Sequence, residues 1–149
     1  MSLKTHVKVD QILGYFAAGT TVRKSSVIDM AGYEGCMFIF EFGTLLETGT
    51  LAAVINGNDT NATGGDALSG SVTYTVTAAD ALLTQSAIVI DVYQPEPSLH
   101  RYLEAQITPA VANAVLLGVT AIRYGGKLKP EVTTGLLASS IVASPAVAA

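Results

Sequence analysis

The chain has 149 residues, which fits one domain of ordinary size, and half of these residues are hydrophobic. Only 13% are charged and the formal net charge is -4, which excludes a disordered chain and gives no basic excess for binding nucleic acid. The apolar runs are shorter than the roughly 18 residues of a membrane span, and the first residues lack the apolar core of a secretory signal.

Short segments rich in β-branched and apolar residues, separated by glycine-containing turns, indicate an all-β domain. Residues 12–20 are predicted to form a bend or one helical turn, and residues 77–83 to form a short helical turn. Residues 57–70 are rich in Gly and Asn and predict a long exposed loop. In chain order, strands are predicted at residues 21–30, 36–42, 49–56, 71–77, 87–93, 99–108 and 113–124.

The most apolar of these strands is Cys36–Phe42. A period of two places its three phenylalanines on one side, and Met37 and Ile39 with Glu41 on the other. Because both sides are largely apolar, we expect a central strand that is covered on both faces. Several such strands with turn signals predict a single β-sandwich or jelly-roll-like domain.

The two ends of the chain differ from the middle. Residues 1–11 alternate Val7 and Val9 with charged residues, which predicts an N-terminal arm or edge strand. Residues 127–149 lack aromatic residues and predict either a disordered tail or an arm that orders on a neighbouring subunit. The predicted organisation is therefore an arm or edge strand at 1–11, a β-sandwich domain at 12–126 and a C-terminal arm at 127–149.

Residues that often carry chemistry lie in patterns that favour structural roles. His6 and His100 are far apart and near no cysteine pair, so a metal site is not expected. Cys36, the only cysteine, opens the most apolar strand, which indicates a buried structural thiol. The stretch Asn56–Asn61 resembles a calcium loop in composition only, because it lacks the order of acidic residues and the closing Glu. We therefore expect no catalytic, metal-binding or cofactor-binding residue, no cofactor and no enzyme activity.

Three stretches together resemble a family of small proteins of tailed bacteriophages, the capsid decoration or cement proteins. They are Ala17–Thr20 with Val27–Gly35 and the strand that follows, then Asp91–Pro95 with Arg101-Tyr102, and last Asn113–Val115 with Gly118, Ala121-Ile122 and Tyr124-Gly125. The resemblance covers roughly residues 12–126. It implies a β-sandwich or jelly-roll-like protein on the outside of the capsid, which forms trimers and binds the major capsid protein.

The resemblance and the composition together predict a virion structural protein, made in the host cytoplasm, that stabilises the capsid lattice. Its expected partners are the major capsid protein and copies of itself, with no nucleic acid and no membrane. An alternative is a tail or fibre-associated module that recognises host surface glycans. The expected contacts lie in the two arms, where lysines could pair with an acidic capsid surface or simply serve solubility: Lys4, Val7, Val9, Lys127, Lys129, Leu136, Leu137, Ile141 and Val142.

Overall fold

The computed structural model describes residues 7–93, 95 and 99–125, and the regular structure there is almost entirely β-strand. A short 3-10 turn at Asp80–Leu82 follows the eighth strand. The strands are β1 (Val7–Leu13), β2 (Phe16–Gly19), β3 (Arg23–Lys24), β4 (Ile28–Asp29), β5 (Gly35–Leu45), β6 (Thr50–Asn58), β7 (Asp66–Ala67), β8 (Val72–Thr75), β9 (Ser86–Tyr93), β10 (Tyr102–Ala110) and β11 (Ala114–Tyr124).

These strands form two antiparallel sheets. The five-stranded sheet has the order β1-β11-β5-β9, and β2 pairs with β11 beyond the end of β1. The six-stranded sheet has the order β3-β10-β6-β7, with β4 also on β10 and β8 also on β6. The all-β sandwich predicted from the sequence is therefore confirmed.

The core lies between the two sheets and is built from the inward side chains of their central strands. Phe38 and Phe40 of β5 face Leu103 and Ile107 of β10, and all four are fully buried. Alternation along each strand supplies these side chains, because successive residues point to opposite faces. Each buried side chain of this size stabilises the fold by about 1.5–3 kcal/mol.

One buried ion pair ties the edge strand β1 to the interior. Arg123 of β11 donates from Nη2 to Asp10 Oδ2 at 2.5 Å, and the two side chains are 9% and 3% exposed. Arg123 also donates from Nη1 to the backbone oxygen of Asp29 at 2.7 Å, and its guanidinium lies over the Tyr33 ring at 5.2 Å. A single arginine thus connects β1, β11 and the segment that leads into β5.

Residues 7–30 form more and shorter strands than their pattern predicts. Residues 12–20 hold the end of β1 and all of β2 rather than a helical turn, and residues 21–30 hold two short strands rather than one. Arg23 explains the break, because it is 3% exposed and its Nη2 donates to the backbone oxygens of Ala17, Gly19 and Ala114 at 3.0–3.3 Å. The chain curls around this side chain so that Nη2 is hydrogen-bonded, which a long straight strand would prevent.

The predicted loop at residues 57–70 is partly ordered by its own side chains. Asn58 Oδ1 accepts hydrogen bonds from the backbone N–H and the hydroxyl of Thr60, and β7 pairs with β6 within the segment. The predicted helical turn after residue 77 is present as the 3-10 turn. It starts with a reciprocal pair, in which the Asp80 N–H donates to Thr77 Oγ1 and the Thr77 N–H donates to Asp80 Oδ2.

The predicted arms lie mostly outside the described residues, as do Lys4 and all of residues 127–149. The first described residue, Val7, already belongs to β1, and this strand runs to Leu13 along the edge of the five-stranded sheet. The predicted boundary between residues 11 and 12 therefore falls inside a paired strand.

Candidate functional site

The outer face of the five-stranded sheet carries an unusual run of apolar side chains. Inward positions of β5, such as Cys36 and Phe38, are fully buried, so their neighbours Met37 and Ile39 point outward. Strand register extends this surface to the neighbouring strands. On one side, Met37 pairs with Ile122 of β11, which in turn pairs with Val9 of β1. On the other side, Ile39 pairs with Val89 of β9. We call the outward side chains of Val9, Met37, Ile39, Val89 and Ile122 the apolar outer face.

The apolar outer face is exposed to different degrees. Val89 is 53% exposed on the edge strand β9, and the other four members are half-buried by their neighbours. Antiparallel sheets of this kind commonly alternate apolar residues toward the core with polar residues toward water. Four adjacent strands that present apolar side chains outward break that alternation, which is typical of a surface that contacts another protein.

The charged residues at outward positions of β5 and β9 are both acidic. Glu41 and Asp91 flank the apolar outer face, and Asp91 Oδ1 accepts a hydrogen bond of 2.7 Å from the Tyr124 hydroxyl. Burial, followed by this hydrogen bond, raises the pKa of Tyr124. Tyr124 is therefore a neutral donor at physiological pH, and this surface combines apolar character with negative charge.

The outer face of the six-stranded sheet is polar by contrast. Asn56 Nδ2 donates to Gln106 Oε1 at 3.1 Å and to Glu104 Oε1 at 3.4 Å, across the pair of β6 and β10. Glu104 is 2% exposed, and its Oε2 accepts no hydrogen bond from the described part of the chain. Among the described residues, the two outer faces of the sandwich therefore differ in chemistry, and the apolar outer face lies on the five-stranded sheet.

Three cavities meet at His100, at the end of the sandwich where β9 finishes. Their volumes are about 560, 670 and 300 Å³, and His100 lines all three. Tyr93, which is 62% exposed, lines the first, Tyr33 and Arg101 line the second, and Asp59 and Asp66 line the third. The imidazole packs directly on Gly57, where an added Cβ would lie 2.6 Å from its Cδ2, so Gly57 is required for this approach.

An exposed ion pair borders the second of these cavities. Arg101 donates from Nε and Nη2 to the two carboxylate oxygens of Asp29, each at 2.9 Å. The hydrogen bonds from Arg101 hold the pKa of Asp29 below its usual value. This end of the sandwich is therefore polar and concave, and it could accept a hydroxyl-rich ligand.

The thiol of Cys36 has the environment that the sequence predicts. Its side chain is fully buried, and burial raises its pKa to about 12. A thiol in this state stays protonated at neutral pH and is a poor nucleophile.

His100 lies among the end cavities rather than in a cluster of ligands. No group of three or more His, Cys, Asp and Glu side chains within residues 7–93, 95 and 99–125 could hold a metal ion. The same residues include no helix long and apolar enough to cross a bilayer.

The predicted contact residues that the structure describes are Val7 and Val9. Val9 belongs to the apolar outer face, and Val7 is buried at the start of β1 opposite Tyr124. The sequence predicts Met37 and Ile39 as a second apolar side of β5, but it does not link them to their partners Val89 and Ile122. The remaining candidates lie outside the described residues: Lys4, Lys127, Lys129, Leu136, Leu137, Ile141 and Val142.

No family model matches the chain, and no curated protein matches it significantly. Among solved structures, it is similar to a chain of infectious bursal disease virus strain Gt, with a TM-score of 0.45, 15% identity, and coverage of 83% of this chain and 33% of that one. It is also similar to VP2 in a subviral particle of infectious bursal disease virus, with a TM-score of 0.46, 14% identity, and coverage of 81% and 34%. The enzymatically active domain of tailspike protein 4 from bacteriophage CBA120 matches with a TM-score of 0.41, 12% identity, and coverage of 79% and 19%.

The chain spans about a third of the length of the two viral chains that it matches. At these TM-scores, the assignment of a β-sandwich rests on the strand pairing and the shared core described above.

Proposed function

We propose that this protein is a virion structural protein of a tailed bacteriophage, and specifically a capsid decoration protein. In this role it binds the outside of the phage head and stabilises the lattice of the major capsid protein. The observation that supports the proposal is the apolar outer face, a surface that the protein's own second sheet does not cover. Its proposed partners are the major capsid protein and further copies of the same chain.

The size of the apolar outer face favours many weak contacts over one strong contact. In a sheet, each side chain on one face occupies about 4.8 Å by about 6.8 Å, so these five side chains give a face of roughly 160 Å². A stable pairwise interface usually buries about 800 Å² on each partner. A single face is therefore too small for tight binding, and a symmetric oligomer on a repeating lattice gains affinity by engaging several equivalent sites at once.

We expect charges placed on the apolar outer face to abolish most capsid binding. Ile39→Glu and Val89→Glu each add a carboxylate that would have to be buried unpaired against the capsid, which costs several kcal/mol. Each variant should bind phage heads that lack this protein at least about tenfold more weakly, as measured by co-sedimentation. Both side chains point away from the core, so the circular dichroism spectrum should be unchanged.

Thr73→Glu is the matched control, because Thr73 is an exposed position on β8 of the six-stranded sheet. It adds the same charge to the opposite side of the sandwich and should leave binding unchanged. If the Ile39 and Val89 variants bind heads as tightly as the unmodified protein, the apolar outer face is not the capsid contact and the proposal fails.

The end cavities favour a second candidate, a tail or fibre-associated module that binds host glycans. Tyr93 offers an exposed ring, and Asp59 and Asp66 offer hydrogen-bond acceptors near His100. Stoichiometry separates the two functions, since a protein that occupies the repeating positions of a capsid lattice is present in hundreds of copies per virion. We expect that number from quantitative mass spectrometry of purified virions, whereas a handful of copies would favour the glycan-binding module.

A further inference from the structure

Strand β9 leaves one edge of the five-stranded sheet open. Ser86–Tyr93 pairs along its whole length with β5 on one side, and no described residue pairs with its other side. The backbone groups on that side are therefore available to another strand. Such edges are usually protected by proline, by lysine, by a bulge or by a covering segment.

The side chains of β9 offer little of this protection. Ile88, Ile90 and Val92 point inward and are half-buried, and the outward residues include Val89 and Tyr93. The strand has a single charge, Asp91, and its register with β5 is regular from end to end. A regularly paired, mostly apolar edge strand of eight residues is a strong template for an additional strand.

A groove with both apolar and polar lining residues runs along the inner side of this edge. A cavity of about 560 Å³ lies between Ile90 and Val92 on β9 and Ile55 and Leu68 on the opposite sheet. A second cavity, of about 260 Å³, continues past Ile88 toward Phe42, Leu51 and Tyr74. The two sheets are therefore separated along this side, and an added strand could place every second side chain in the groove.

The chain itself contains a segment with the required chemistry. Twenty-four residues follow Gly125, and the stretch 132–144 within them (VTTGLLASSIVAS) has neither charge nor proline. Leu137 and Ile141 are separated by an even number of positions, so an extended chain would direct both to the same side. Eight of these thirteen residues are enough to cover Ser86–Tyr93.

The segment leaves the sandwich at the end where β9 finishes, because Tyr124 of β11 and Tyr93 of β9 both pair with Gly35 of β5. Glu34 N–H donates to the backbone oxygen of Tyr124 at 3.0 Å, and the Glu34 side chain packs against Gly125, which fixes this end of β11. The choice of a second copy follows from the proposed function, in which copies of this chain associate.

We propose that residues 132–144 of one copy add as a strand to the open edge of β9 in a second copy, with Leu137 and Ile141 in the groove. This contact rests on the self-association in the proposed function, and it uses the backbone edge of β9 rather than the apolar outer face. Because the segment and the edge are different surfaces, the contact is head to tail, and such a contact forms either a closed ring or an open filament. The trimer that the resemblance implies is the closed form with three copies.

The test uses the full chain and two double variants of its C-terminal segment. Light scattering should give three chain masses for the unmodified protein and one for Leu137→Asp with Ile141→Asp, because buried carboxylates oppose strand addition. Ala146→Asp with Ala148→Asp adds the same charges beyond the segment and should leave the trimer intact. Hydrogen exchange should show β9 amides exchanging at least about tenfold faster in the monomeric variant than in the trimer.

Several results would overturn the proposal. An unmodified monomer with protected β9 amides would show that the segment pairs within its own chain, and an unmodified monomer with unprotected amides would show that it does not pair at all. A Leu137 and Ile141 variant that stays trimeric would place the subunit contact elsewhere. None of these results alters the head-binding comparison of Ile39 and Thr73, so failure of this contact is distinguishable from failure of the capsid function.

Discussion

Asp10→Ala is expected to lower the free energy of unfolding by about 3–5 kcal/mol, which is a large share of the total stability of a domain of this size. Removing the carboxylate leaves the Arg123 guanidinium charged, 7% exposed, and without the anion that it contacts at 2.5 Å. The backbone oxygen of Asp29 and the Tyr33 ring remain, but neither is a counter-charge. The measurement is urea unfolding at one fixed protein concentration, because self-association also contributes to apparent stability.

Two comparisons show whether the loss in free energy of unfolding comes from leaving the Arg123 charge buried without its partner. Asp29→Ala removes the exposed pair with Arg101, whose side chains are 41% and 47% exposed, and should cost less than about 1 kcal/mol. Asp10→Leu with Arg123→Met replaces the buried pair by apolar side chains and should recover most of the loss. An Asp10→Ala protein as stable as the Asp29→Ala protein would show that the buried pair contributes no more than a surface pair.

Phe40→Ala is expected to cost about 3–5 kcal/mol, because it removes a large side chain from the centre of the core and leaves a cavity. Phe40 is fully buried, and it lies between Val119 and Ile88, its partners on the two neighbouring strands. The surrounding side chains belong to both sheets, so they cannot collapse into the space without moving a sheet.

The neighbouring residue provides the matched control. Ile39 is on the same strand but points to the apolar outer face, so Ile39→Ala removes side chain from a surface that is only half-buried in the isolated chain. Its cost should be about 1 kcal/mol in urea unfolding. Equal losses at positions 39 and 40 would contradict the assignment of one face to the core and the other to a partner surface.

The strands with the strongest period-two pattern could be predicted from the sequence. Cys36–Phe42 lies within β5, and its two apolar sides correspond to the core and to the apolar outer face. The period-two pattern is informative here because side chains two residues apart lie on the same face of the strand and share the same environment. The strands at residues 87–93 and 113–124 were predicted nearly as the structure has them, for the same reason.

The features that the sequence did not predict depend on residues far apart in the chain. Asp10 and Arg123 are 113 positions apart, and neither has a neighbour that marks it as a member of a buried pair. Arg23 lies in a stretch that is predicted to be one strand, yet its side chain donates to backbone oxygens of β2 and β11. The apolar outer face could not be predicted either, because its members come from four strands whose order is established by the fold.

The buried carboxylate near the start of the chain also decides how β1 can align with β11. A shift of one residue would turn Asp10 toward the apolar outer face and bring Val9 or Gln11 against Arg123. Either shift leaves the Arg123 charge buried without its carboxylate. Misaligned pairings of this short edge strand are therefore disfavoured more strongly than its few apolar side chains alone would disfavour them. Under the proposed function many copies share one lattice, so each misaligned copy would present a defective surface to its neighbours.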